Sequence, residues 1–128
     1  MTTPREPFQL AARLRSFRYA FAGLRRMLRC QHNAWLHAVA TVFVVTASFL
    51  LHLSRADWCW IILAISLVWA AEAFNTAVEF LANAITTDFH PLIRDAKDVA
   101  AGAVLLTAFS AAVIGTLIFW PHLTLLFR

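Results

Sequence analysis

Two long stretches without a charged residue constrain this chain more than any other feature of its sequence. Residues 34–53 and 99–120 contain no Asp, Glu, Lys or Arg. A helix needs about 20 apolar residues to cross a bilayer core of about 30 Å. Both stretches therefore predict membrane-spanning helices.

The composition agrees with a membrane protein. Of the 128 residues, 61% are hydrophobic and 14% are charged, whereas a soluble domain carries about 25% charged residues. Disorder requires low hydrophobicity and high net charge, so it is excluded. We predict a single integral membrane domain over residues 1–128.

The middle of the chain carries an anomaly. Residues 58–71 are free of charge, and Glu72 follows them directly. Fourteen helical residues cover only about 21 Å, which is less than a full crossing. A helix that spans here must therefore carry Glu72 within the membrane or near one end of the span.

The N-terminal segment is basic and amphipathic. Phe17, Phe21, Leu24 and Leu28 fall on one helical face. The rest of this region carries most of the arginines of the chain, which are Arg5, Arg13, Arg15, Arg18, Arg25, Arg26 and Arg29. This pattern predicts a helix that lies in the membrane interface, with the N-terminus in the cytoplasm by the positive-inside rule. No nucleic-acid-binding module accompanies the charge, so no nucleic-acid partner is expected.

The predicted fold is an all-α membrane protein. An amphipathic surface helix over about residues 5–31 precedes transmembrane helices over about 34–53, 57–85 and 97–120. Thr2, Thr3 and Pro4 are expected to form a frayed end. Residues 86–97 are expected to form a polar cytoplasmic loop, because Pro91 breaks helices.

A polar stripe on the middle helix is the strongest functional signal. Glu72, Asn75, Thr76, Glu79 and Asn83 follow a spacing of three or four residues, which places them on one face. A carboxylate in a span costs about 2.5–3.5 kcal/mol on insertion scales. The two carboxylates of Glu72 and Glu79 can hold Mg²⁺ and supply a general base. The alternatives are an interfacial polar face without function, or a non-enzymatic route for protons or ions.

Lys97 is the only lysine of the chain and stands beside Asp98. An ammonium group can place a point charge on a phosphate, although an interfacial lysine can also simply reach toward water. His90 either contacts a nucleotide or is a solvated loop residue. Neither a GxxxxGK[ST] nor a GxGxxG motif occurs, so a nucleotide has to be held by side chains.

Three strings of residues resemble the prokaryotic diacylglycerol kinase family. They are Glu72-Ala-Phe-Asn75-Thr76-Ala-Val-Glu79, Asp88-Phe-His90-Pro91-Leu and Ala96-Lys97-Asp98-Val-Ala-Ala-Gly-Ala-Val. The resemblance runs over about residues 16–119. It implies a homotrimeric, multi-pass lipid kinase of the bacterial inner membrane that uses ATP and Mg²⁺, with active sites between protomers.

The resemblance also implies roles for individual residues. Glu72 is the base that takes the proton of the lipid hydroxyl, Glu79 binds Mg²⁺, and Asn75 orders the site. The residues expected to bind the nucleotide are Tyr19, Asp88, His90, Lys97 and Asp98.

This chain departs from the family pattern at three positions. Gln31 stands where the family usually has a second metal-binding Glu; its amide oxygen keeps it a metal-site and nucleotide-site candidate. Asn83 replaces a usual Asp, and Trp35 a more polar residue. A catalytically impaired relative is therefore an alternative. The lipid alcohol is either diacylglycerol or undecaprenol, and the string that begins at Lys97 resembles the undecaprenol kinase branch.

Overall fold

The structure, a computed structural model, describes residues 10–126 and contains four helices and no strand within them. They are α1 (Leu10–Cys30), α2 (His32–Leu50), α3 (Arg55–Ile85) and α4 (Pro91–Leu126). The last three are long and apolar enough to cross a membrane. The prediction of an all-α membrane protein with an N-terminal surface helix and three spans is confirmed. The predicted start of the first helix near residue 5, and the predicted frayed end before it, lie outside the described residues.

A single residue separates α1 from α2. Gln31 has extended backbone angles, φ −111° and ψ 118°, between Cys30 and His32. Along α1 most described side chains are exposed, but Met27 near its end is only 2% exposed. The basic helix is therefore packed against the spans at its C-terminal end, next to this break.

A capping box starts α3. The Ser54 hydroxyl accepts a hydrogen bond from the backbone N–H of Asp57 at 3.2 Å, and the Asp57 carboxylate accepts one from the Ser54 backbone N–H at 3.2 Å. These bonds satisfy N–H groups that the first turn of a helix leaves free. The helix therefore begins at Arg55 rather than at 57.

The start of α4 differs from the sequence-based expectation. The sequence predicts a polar loop over residues 86–97, because Pro91 breaks helices. In the structure Pro91 is instead the first residue of α4. Proline suits the first helical position, because its fixed φ matches a helix and its missing N–H has no partner there. The connection shrinks to residues 86–90, and Lys97 and Asp98 lie inside the helix.

The far end of α4 also extends past the expected limit of 120. The helix continues through Pro121 to Leu126. An interior proline removes one helical hydrogen bond, which membrane helices tolerate when side chains satisfy the freed backbone groups. The carbonyl that loses its usual donor to Pro121 is that of Leu117, and the Nδ1 atom of His122 lies 2.9 Å from the next carbonyl oxygen, that of Ile118.

The buried residues lie mainly along α3. This helix packs extensively along α4 and less closely against α2. Ile61, Ala64 and Val68 of α3 and Val104 of α4 are buried apolar residues. The indole N–H of Trp69 donates to the Thr41 hydroxyl at 3.0 Å and thereby links α3 to α2. The central helix thus presents one face to both neighbours, and the polar stripe lies on that helix.

Candidate functional site

One face of α3 changes from apolar to polar along its length. Ile61, Ala64 and Val68 are buried, and the positions that continue this spacing are Glu72, Asn75, Thr76 and Glu79. Residues three or four apart lie on the same side of a helix. A continuous strip therefore runs from an apolar half into a polar half that begins at Glu72.

Glu72 is the most unusual residue of the molecule. Its side chain is 0% exposed, and neither carboxylate oxygen has a hydrogen-bond partner among the described residues. It lies close enough to His37 and Glu79 for their charges to act on it. A buried polar group without a partner costs about 1–3 kcal/mol, and a charged one costs more. Such a carboxylate is free to accept a hydrogen bond from a bound hydroxyl group.

Asn75 stands one turn further along the same strip. Its side chain is 5% exposed, and its Oδ1 atom has no hydrogen-bond partner in the described part of the chain. Thr76 differs, because its hydroxyl donates to the backbone oxygen of Glu72 at 2.9 Å. Three side-chain oxygens from two neighbouring residues, Glu72 and Asn75, are therefore left for a ligand.

Gln31 reaches Glu79 from the break between α1 and α2. The Nε2 atom of Gln31 donates to Oε2 of Glu79 at 2.5 Å, and both side chains are half-buried. The family resemblance implies that both residues belong to a metal site, and the structure brings their side chains into contact. The contact also ties the end of α1 to α3.

The donor set at Glu79 suits Mg²⁺ that is shared with phosphates. Within residues 10–126, no group of three or more His, Cys, Asp or Glu side chains forms a full metal cage. Mg²⁺ usually takes only one or two protein carboxylates and fills its shell with waters and substrate phosphates. Glu79 provides one carboxylate. Gln31 can offer an oxygen once its amide turns, because its nitrogen now faces Glu79.

A polar cavity of about 260 Å³ lies at the C-terminal end of α3. Four predicted nucleotide-binding residues line it together: Asp88, His90, Lys97 and Asp98. Asn83 lines it as well and stands one helical turn after Glu79. The cavity therefore borders the polar strip, and the extension of α4 back to Pro91 is what carries Lys97 to it.

Tyr19 does not line the polar cavity with the other predicted nucleotide-binding residues. Its side chain lies near the middle of α1 and is 68% exposed. No hydrogen bond joins it to another described residue of the candidate site. Its expected role in the nucleotide pocket stays a prediction.

Three nearby residues had no place in the sequence-based site. His37 of α2 lies near Glu72 of α3, and no spacing in the sequence links residues on these two helices. Arg94 lines the polar cavity and lies 3.8 Å from the carboxylate of Asp98. Its spacing of four residues from Asp98 on a helix is a signal that could have found it. The third residue, Arg26, stacks over the ring of Phe80, and no periodicity links these two helices.

An apolar cavity of about 340 Å³ adjoins the apolar half of the strip. Ile61, Ala64 and Val68 of α3 form one wall, and His37 lies in the lining from α2. The wall from α4 is mostly small, with Ala108, Ala111, Ala112 and Gly115 among its residues. Val68 lies one turn before Glu72, so hydrocarbon bound here would end close to the buried carboxylate.

Comparison with known proteins identifies a family. The sequence profile of prokaryotic diacylglycerol kinases matches residues 18–119. An undecaprenol kinase from Bacillus subtilis is 40% identical over 109 residues, which are 85% of this chain and 89% of that protein. A diacylglycerol kinase from Synechocystis sp. is 39% identical over 109 residues, or 84% of this chain and 62% of that protein. The Escherichia coli diacylglycerol kinase is 26% identical over 104 residues, or 81% and 85% of the two chains.

The contact between Gln31 and Glu79 generates a prediction about Mg²⁺. In Gln31→Glu, two carboxylates face each other, so the variant should melt at a lower temperature than wild type without Mg²⁺. With Mg²⁺ and a non-hydrolysable ATP analogue, the added charge should lower the Mg²⁺ concentration for half-maximal thermal stabilisation on the order of tenfold. Asn33→Glu is the matched control, because it adds the same charge at an exposed position. Equal Mg²⁺ responses of the two variants would contradict a metal site at Glu79.

Proposed function

The chain belongs to the prokaryotic diacylglycerol kinase family, and we propose that it transfers the γ-phosphoryl group of ATP to the primary hydroxyl of a membrane lipid alcohol. One observation carries this proposal. A fully buried carboxylate, whose two oxygens have no partner in the described residues, begins the polar half of the strip one helical turn beyond Val68, which lines the apolar cavity. A lipid alcohol has the same order of groups, with hydrocarbon first and hydroxyl last.

Glu72 acts as the general base. Its carboxylate accepts the hydrogen bond of the lipid hydroxyl and takes the proton as the hydroxyl oxygen bonds to the γ-phosphorus. The bond from that phosphorus to the β,γ-bridging oxygen breaks, and ADP leaves with the electron pair. Phosphoryl transfer needs mainly positioning and charge neutralisation. The burial of Glu72 on a packed helix supports the positioning, and Asn75 orders the site one turn further along the strip.

The nucleotide binds in the polar cavity that adjoins this strip. Lys97 supplies positive charge to the phosphates, while Asp88 and His90 contact the nucleoside portion and Tyr19 completes the pocket. Asp98, next to Lys97 in the chain, also contacts the nucleotide, and its carboxylate lies close to the guanidinium of Arg94. Side chains replace the glycine-rich loop that this sequence lacks.

Glu79 and Gln31 would hold Mg²⁺ together with the phosphates of ATP. Mg²⁺ held there would supply positive charge that neutralises the phosphates. Gln31 contributes an amide oxygen, so this site carries one negative charge fewer than a site with two carboxylates. We therefore expect a functional enzyme that requires a comparatively high Mg²⁺ concentration.

The lipid alcohol is diacylglycerol or undecaprenol. Relatives at 39–40% identity carry both names, one as a diacylglycerol kinase and the other as an undecaprenol kinase. The two lipids present a primary hydroxyl on a hydrocarbon anchor, so the same base and the same nucleotide site serve either. The apolar cavity beside Val68 receives the part of the hydrocarbon nearest the hydroxyl.

We place the protein in the bacterial inner membrane with its N-terminus in the cytoplasm. The exposed arginines of α1 support this orientation by the positive-inside rule. Two spans, α2 and α3, precede the α3–α4 connection, so the polar cavity there lies on the same side as the N-terminus, the cytoplasmic side, where ATP is found. The surface helix lies on the same side.

An assay in mixed micelles tests the proposed activity. The purified protein, with ATP and Mg²⁺, should convert diacylglycerol, undecaprenol or both into a lipid phosphate, with one ADP formed for each product. The ratio of the two rates identifies the preferred lipid. A folded protein that phosphorylates neither lipid, or that consumes ATP without lipid, would show that the proposal is wrong. Proton flux in liposomes without any need for ATP would favour the ion-relay alternative.

The assignment of the base predicts a separation of turnover from binding. Glu72→Gln should lower the rate of lipid phosphorylation about 10²-fold or more, since a positioned general base commonly contributes 10²–10⁴-fold. ATP affinity should stay close to wild type, because the groups around Lys97 and Glu79 remain. Asp57→Asn is the control, as it removes a carboxylate near the opposite end of α3. Wild-type turnover of Glu72→Gln on a verified substrate would rule out Glu72 as the base.

We propose that the chain works as a homotrimer. Inside one protomer nothing in the described residues pairs with Glu72, and α4 exposes small residues such as Ala101, Gly102 and Ala103, which let membrane helices approach closely. Light scattering of the active protein, corrected for detergent, should return about three protomers per particle. An active monomer would contradict a site shared between protomers.

A further inference from the structure

The end of α1 touches α3 at two successive residues. The guanidinium carbon of Arg26 lies 5.5 Å from the centroid of the Phe80 ring. The preceding residue of α3, Glu79, accepts the hydrogen bond from Gln31 at 2.5 Å. Because Arg26 belongs to the last turns of α1 and Gln31 directly follows that helix, the two contacts together restrict where the guanidinium of Arg26 can lie. It is held at the turn that carries the candidate Mg²⁺ ligand.

The contact with Phe80 leaves the N–H donors of Arg26 available. A guanidinium over an aromatic ring is held by attraction between its charge and the ring, not by hydrogen bonds from its N–H groups. No ion pair within 4 Å joins Arg26 to a carboxylate of the described residues. The five donors of this group suit the oxygens of a phosphate.

The position of Phe80 connects Arg26 to the nucleotide cavity. Phe80 lies three residues before Asn83, which lines the polar cavity together with Lys97. Residues three apart are neighbours on a helix surface. A phosphate chain that runs from the cavity toward Glu79 would therefore pass beside the turn where Arg26 is seated.

From these contacts we infer that Arg26 is a further phosphate-binding residue of the site, positioned by the Phe80 ring. Lys97 and Arg26 then approach the nucleotide phosphates from different helices, α4 and α1. This inference rests on the proposed function, because it assumes that the polar cavity holds ATP. It also gives the surface helix a part in substrate binding beyond its contact with the membrane.

A lipid headgroup presents the same phosphate chemistry as a nucleotide. Exposed arginines of an interfacial helix attract anionic lipids, and Arg26 is exposed. A measurement in an uncharged detergent without phospholipid separates the two sources, since the nucleotide is then the only phosphate present.

Arg26→Gln tests the inference, with Arg25→Gln as the matched control. Arg25 is the exposed neighbour on α1 and has no described ring contact or ion pair. By calorimetry in uncharged detergent, Arg26→Gln should bind ATP roughly tenfold more weakly, as expected for one lost hydrogen bond between charged groups. Its affinity for adenosine should not change. Arg25→Gln should bind ATP within about twofold of wild type, and the KM for ATP of Arg26→Gln should rise more than its kcat falls.

Two further variants separate charge from position. Arg26→Lys keeps the charge without the planar fork and should recover part of the ATP affinity. Phe80→Leu keeps an apolar side chain without the aromatic face and should weaken ATP binding less than Arg26→Gln does. Melting temperatures measured without nucleotide show whether each variant is folded.

The outcomes distinguish this inference from the proposed function. Unchanged ATP affinity in folded Arg26→Gln would overturn the inference, even if wild type phosphorylates lipid. A loss that appears only after phosphatidylglycerol is added would assign Arg26 to lipid headgroups and would also overturn it. If wild type bound ATP through Arg26 but phosphorylated no lipid alcohol, the proposed activity would fail and the phosphate site would stand.

Discussion

The cost of keeping the Glu72 carboxylate away from water governs the arrangement of this chain. The carboxylate belongs to a membrane-spanning helix and is fully buried, without a hydrogen-bond partner in the described residues. An apolar strip with Ile61 and Val68 leads up to it, and Glu79 follows it toward the polar end of α3. Natural proteins seldom leave a buried polar group unsatisfied, and the exceptions call for an explanation. A bound hydroxyl group supplies one.

The surface helix depends on the same region of α3. Most of the stability of a helix in a protein comes from the packing of its apolar face, and α1 buries little besides Met27. What holds its end is the pair of contacts at Glu79 and Phe80, together with the membrane interface on which its apolar side chains can rest. The docking of α1 and the geometry of the candidate metal site are therefore coupled, because Gln31 belongs to both. A substitution that displaces α1 is therefore expected to change the metal site, and a substitution in the metal site is expected to change the docking of α1.

Most of the fold could be predicted, because membrane helices are recognised in a sequence by long stretches without charged residues. The ends of the helices were less predictable. Pro91 reads equally well as the residue that ends a helix or as the one that begins it, and only the chain on both sides decides. Ser54 and Asp57 form a recognisable capping box, which places the start of α3 more accurately than the charge-free run does. Within the site, spacing on one helix predicted that Glu72, Asn75 and Glu79 share a face.

The sequence alone determined the residue types and their order along each helix, since helical periodicity is a local property. It therefore established three spans, a basic surface helix and the polar strip on α3. Contacts between helices are different, because they depend on how separate elements pack and leave no period in the sequence. Only the tertiary structure brought Gln31 to Glu79, seated Arg26 on Phe80 and left Tyr19 apart from the other candidate residues. It also determined that both oxygens of Glu72 lack a partner among residues 10–126, since burial is a property of the packed helices around a residue and not of the residue itself.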